Sequence, residues 1–241
     1  MLTKKIYFYF ILPVTFAVTL TYTNCAKTQL EDVTVSLQSS QSACGFTVPA
    51  GLNNPQTIDQ AMSLIQAMPK PLTIDCFVSA LKPPLKVFAV NSFTSAQPSG
   101  GESSPRIFII NGNLIMSVVP AGEGAEFLEF AEIVDAMSSV KGELQFPILE
   151  NIAASAPYDR IRSGNGTNCR FCHGNEVAYP GIKTGQAFAS TVLPPDPFLQ
   201  INQPYLKNQS SICDNQSDSG RCRLLNAIYI KGQAQDVPFP Q

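Results

Sequence analysis

Between Lys86 and Phe146 the chain carries a succession of short β-type runs, and this stretch limits the fold more than any other. Lys86-Val-Phe-Ala-Val90 is a short strand of β-branched and aromatic residues. Arg106 to Ile110 and Asn113 to Val119 are two more, joined by Asn111-Gly112, a pair that supplies the positive φ angles of a two-residue hairpin turn. Val140 to Phe146 alternates apolar and polar side chains and reads as a half-exposed strand. Glu126 to Val134 fits either period and is assigned to a strand in a meander, with helix the alternative. The expected fold class is α+β. A β-rich, antiparallel, sandwich- or meander-like domain covers 44–149, and a small helix-and-loop segment follows over 150–241.

One helix precedes the strands. Ile58, Ala61, Met62, Ile65 and Met68 recur at helical spacing. Thr57 and Gln60 form a capping-box pair at its start, and Pro69 and Pro71 end it. Leu72 to Leu81 is ambiguous. In the second segment, Leu149 to Ala156 and Tyr158 to Ile161 each allow a turn or two of helix. Arg221 to Ile230 is a convincing helix stopped by Gly232.

The chemistry is concentrated in Cys169-Arg170-Phe171-Cys172-His173, and His173 is the only histidine of the 241 residues. CxxCH is the attachment pattern of a c-type haem. Each cysteine sulfur forms a thioether to one vinyl group of the same porphyrin, and the adjoining histidine supplies a nitrogen to the iron. A structural zinc site needs about four N or S ligands, and the chain has neither a second CxxC nor a second histidine. A thioredoxin-like dithiol follows a strand, whereas Arg162 to Asn168 is loop chemistry.

The second segment resembles the c-type cytochromes: a helix-capable stretch, the intact motif and a helix near the C-terminus. The resemblance spans about 90 residues, and only the motif is specific. It implies one covalent haem c, with Cys169, Cys172 and His173 as the cofactor-binding residues and His173 as the proximal iron ligand. It also implies that Tyr179-Pro180-Gly181 is the turn whose carbonyl holds that histidine. Small cytochromes c take a second axial ligand from a downstream methionine, but no methionine follows His173. Met116 or Met137 is the candidate distal ligand if the β-rich part closes over the haem. Lys183, Lys207, Tyr179 or an open position are the alternatives.

Met1 to Leu20 has a short positive start and an apolar run of about 15 residues, too short for a membrane span and suited to a secretory signal peptide over 1–24. Cys25 stands where bacterial lipoproteins carry their lipidated cysteine, although Tyr22, Thr23 and Asn24 depart from the usual pattern. Residues 25–43, rich in Thr, Ser and Gln, then form a flexible tether. Without the haem pair and Cys25, four cysteines remain. Cys213 with Cys222 and Cys44 with Cys76 is one of three possible pairings.

Removing residues 1–24 takes two lysines and moves the net charge from −2 to −4. That balance argues against nucleic acid or an anionic bilayer as a partner. A single histidine also excludes Ser-His-Asp or Cys-His catalysis away from the motif. The expected protein is a lipid-anchored electron-transfer protein of the bacterial cell envelope, in the periplasm or outer membrane, with an unidentified redox partner protein and no enzyme activity required. A haem-based gas or redox sensor or binding module is the alternative. A structural surface lipoprotein with a CxxC disulfide is the third class.

Overall fold

The computed structural model describes residues 45–240 apart from residue 94. Five consecutive strands follow one another as hairpins: β1 (Lys86–Val90), β2 (Arg106–Asn111), β3 (Leu114–Val118), β4 (Phe127–Ile133) and β5 (Ser138–Gln145). All neighbours among them pair antiparallel. Glu126 to Val134 is thus a strand of the meander. The tight turn sits one residue later than expected. Asn111 pairs with Leu114, so Gly112 and Asn113 are the turn residues. Gly112 has φ 60° at the first turn position, where a type II′ turn needs glycine, and Asn111 keeps strand geometry.

The expected boundary at residue 150 is not a structural one. β8 (Val177–Tyr179) and β9 (Ala187–Thr191) extend the sheet beyond β5, and β10 (Gln235–Asp236) pairs in parallel with β1. The result is an eight-stranded sheet in the order β10-β1-β2-β3-β4-β5-β9-β8. The described residues belong to one compact unit. Local pattern marks strands but not their partners, so it suggests two domains where one sheet is assembled from both halves of the chain. The protein is nonetheless an α+β fold dominated by antiparallel sheet.

One face of this sheet is covered by helices. α1 (Ile58–Ala67) buries Ile58, Ala61, Met62, Leu64 and Ile65. Thr57 Oγ1 accepts from Gln60 N–H, but Gln60 Oε1 accepts from the N–H of Gln56, one residue before the cap, so only the Thr57 half of the expected capping box is made. The ambiguous segment contains α2 (Ile74–Ser79). α3 (Ala156–Arg160) lies so close to β5 that a Cβ on Gly142 would stand 3.0 Å from Pro157 Cβ. α4 (Gln203–Ser211) and α5 (Ser219–Leu225) complete the layer, and α5 continues as a π-helical turn, Asn226–Lys231, capped by Gly232. Val87, Ala89, Ile107, Ile109, Leu114, Met116, Val118, Leu128, Val140 and Leu144 form one core with these helices. No described helix is long and apolar enough to cross a membrane.

The opposite face has a smaller cluster of Phe88, Val90, Phe108, Ile110 and Ile115. Phe239 packs edge-on against Phe88 and Phe108, with ring centroids 5.9 and 5.1 Å away. Residues 192–200 also border this face. Val192 N–H donates to Met137 O at 2.9 Å, and Asn91 N–H to Leu199 O at 2.9 Å.

Candidate functional site

The CxxCH motif lies on a stitched turn. β6 (Arg162–Ser163) and β7 (Gly166–Thr167) form a small hairpin that feeds a 3-10 turn over Asn168–Phe171. Thr167 Oγ1 accepts from Cys169 N–H at 3.2 Å. The Glu176 carboxylate reaches back to accept from Thr167 N–H at 2.8 Å and from its hydroxyl. The Cys169 carbonyl takes both Cys172 N–H, at 3.1 Å, and His173 N–H, at 2.8 Å. This tight winding brings Cys169, Cys172 and His173 to the wall of one cavity.

The far end of the turn is tied to the last residue of β9. Thr191 N–H and Oγ1–H both donate to Gly174 O, at 3.0 and 2.9 Å. His173 Nδ1 is 2.9 Å from Thr191 O. A carbonyl can only accept, so Nδ1 carries the proton and the neutral ring keeps its lone pair on Nε2. Burial, with the positive charge of Lys141 nearby, lowers the His173 pKa and favours that neutral form. Burial also pushes the Cys169 thiol up. Both motif thiols are free, whereas Cys213 and Cys222 form a disulfide.

The cavity encloses about 630 Å³, within the roughly 300–1,000 Å³ of small-molecule and cofactor sites. Its floor is the open face of the sheet. Phe108, Ile115, Ala131 and Ile133 supply the apolar part; Arg106, Glu129, Lys141 and Glu143 supply the charged part. Arg106 ion-pairs with Glu129 and donates to Ser117 Oγ at 3.0 Å. Glu143 pairs with Arg160 at 2.6 Å, and its burial raises its pKa. Lys141 donates to Ser139 Oγ, and burial lowers its pKa to about 8. A second depression of about 610 Å³, near Gly51 to Ser63, shares no residue with the motif.

A haem suits this donor set. It brings four iron ligands of its own, so the protein needs one well-oriented nitrogen rather than a ligand cluster. Among the described residues no group of three or more His, Cys, Asp or Glu is placed to hold a metal ion. Two free thiols, one imidazole with Nε2 unengaged and a partly apolar floor match a covalently held porphyrin.

Other expected ligands lie elsewhere. Met116 is on the helix-covered face, 1% exposed within the main core, because its neighbours Ile115 and Ser117 take the cavity side. Met137 is 71% exposed in the β4–β5 turn and does not line the cavity. Met116 is thereby turned away from the motif, whereas the Met137 carbonyl accepts from Val192 N–H, next to Thr191, with the Met137 side chain outside the cavity lining. Tyr179, Lys183 and Lys207 do not line the cavity either, and Lys183 Nζ donates instead to Pro180 O at 2.7 Å. The carbonyl that holds His173 belongs to Thr191, not to the Tyr179-Pro180-Gly181 turn. Cys25 and Cys44 lie outside the described residues. Cys76 is disulfide-bonded.

Sequence reasoning missed Thr191 and Lys141. A backbone acceptor is chosen by strand pairing, and no residue type advertises it. Lys141 had a usable signal, a lone cation in an alternating strand, but alternation alone assigns its face to solvent. No protein-family model, curated protein or solved structure matches the chain.

Proposed function

We propose that this protein carries one covalent c-type haem, joined through Cys169 and Cys172 and ligated by His173, and serves in single-electron transfer in the bacterial cell envelope. What carries the reading is the His173 ring. Its Nδ1 proton is committed to Thr191 O at 2.9 Å, and its Nε2 is left for iron beside two unpaired thiols. A second-sphere carbonyl of this kind fixes the tautomer and orientation of a metal-binding imidazole.

When bound, the haem supplies the one-electron chemistry of its iron. The chain's own residues do the rest. Cys169 and Cys172 hold the porphyrin edge, Glu176 and Thr167 keep the turn wound, and Thr191 orients the imidazole. The apolar part of the floor, with Val192 to Pro195 and Leu199, would flank the ring. The proposal includes lipidation at Cys25, a tether over 25–43 and a redox partner protein in the periplasm or at the outer membrane.

The experiment is extraction. The protein, made in a host with a c-haem maturation system, should keep its haem through denaturation and acid–acetone treatment. The double substitution Cys169→Ala, Cys172→Ala should release it. Wild-type protein that gives up all its haem contradicts the proposal.

A further inference from the structure

The cavity holds a cation that forms no ion pair among the described residues. Glu129 is engaged by Arg106 and Glu143 by Arg160. Asp196 spends its carboxylate on Phe198 N–H at 2.9 Å. Among the described residues Lys141 therefore keeps only the neutral Ser139 hydroxyl as a hydrogen-bond partner. Half-burying an amine against a hydroxyl alone costs free energy that an ion pair would offset.

Strand register shows where that amine points. Lys141 and Ser139 are on the cavity side of β5, and Lys141 leans back toward Ser139. Ser139 pairs with Ser190, and Ser138 pairs with Thr191, the residue that holds the His173 ring. The amine and the imidazole thus line one cavity, carried by elements that the Ser138–Thr191 pair joins. The hydroxyl of Ser190, which is 1% exposed, has no hydrogen-bond partner among the described residues.

The inventory of lone pairs is short. Arginine stays protonated and cannot ligate. Among the described residues lining the cavity there is no methionine and no histidine besides His173, and Lys141 is the one amine. We infer that Lys141 supplies the second axial ligand to the iron. The inference rests on the haem reading above. It goes beyond it by making the iron six-coordinate with two nitrogen ligands, a state that changes charge with little change in geometry.

The test uses the purified holoprotein, with covalent haem first verified by mass. Wild-type ferric protein should be low-spin by electron paramagnetic resonance, without the near-infrared band of sulfur ligation. Lys141→Ala and Lys141→Arg should both lose the low-spin signal and become high-spin. The arginine variant keeps the charge while removing the ligand, and circular dichroism verifies that each variant is folded. A high-spin wild type overturns the inference without any variant. So does a low-spin signal that survives in both variants. Absence of covalent haem from the wild type would sink the haem reading itself and is seen at the first step.

Discussion

On the helix-covered face of the sheet, Ile107, Ile109, Leu114, Met116 and Val118 are no more than 2% exposed and join one apolar core. On the other face of the same strands stand Arg106, Ser117, Glu129, Lys141 and Glu143. The first face asks only for volume and shape, which hydrophobic burial rewards at about 25 cal/mol per Å². The second holds half-buried charges, whose partial loss of hydration weakens folding unless they are paired or used. Two cysteine pairs repeat the contrast. Cys213, just after α4, and Cys222, within α5, are closed into a bond, while Cys169 and Cys172 stay open at the cavity.

That contrast makes stability and haem binding separable. Met116→Ala should remove about 2–5 kcal/mol of stability, the range for truncating a buried methionine, and leave the haem spectrum unchanged. Denaturant titration and an absorption spectrum check the two halves. A spectral change would place Met116 at the iron after all. Cys213→Ser with Cys222→Ser should cost about 3 kcal/mol, as expected for opening a loop of this length, again with haem retained. Thr57→Ala, which removes the cap of α1, should cost about 1 kcal/mol. A thermal melt resolves it. A loss of haem in this last variant would mean that the two faces are coupled.

Legibility followed the same division. Strand positions were readable because β-branched residues and turn signals are local, and the α1 cap was readable because it spans four residues. The polar side of β5 was misread. Alternation reports that one side of a strand is polar, and Lys141 faces a cavity rather than solvent. β2 shows the complementary limit. Ile107 to Ile110 are buried on both faces, so alternation vanishes where both are covered. The motif announced its chemistry, but the partner of His173 comes from β9, set by Ser138 pairing with Thr191 across two non-adjacent segments.

Arg170 gives the most direct measurement, since it lies between the two motif cysteines. Trypsin cutting after Arg162, Arg170 and Lys183 separates Cys169 from Cys172 on the peptides 163–170 and 171–183. With the reduced, denatured holoprotein, the account predicts that mass spectrometry finds these two peptides still joined, carrying the mass of one haem. Two separate, unmodified peptides under the same reducing conditions would contradict it.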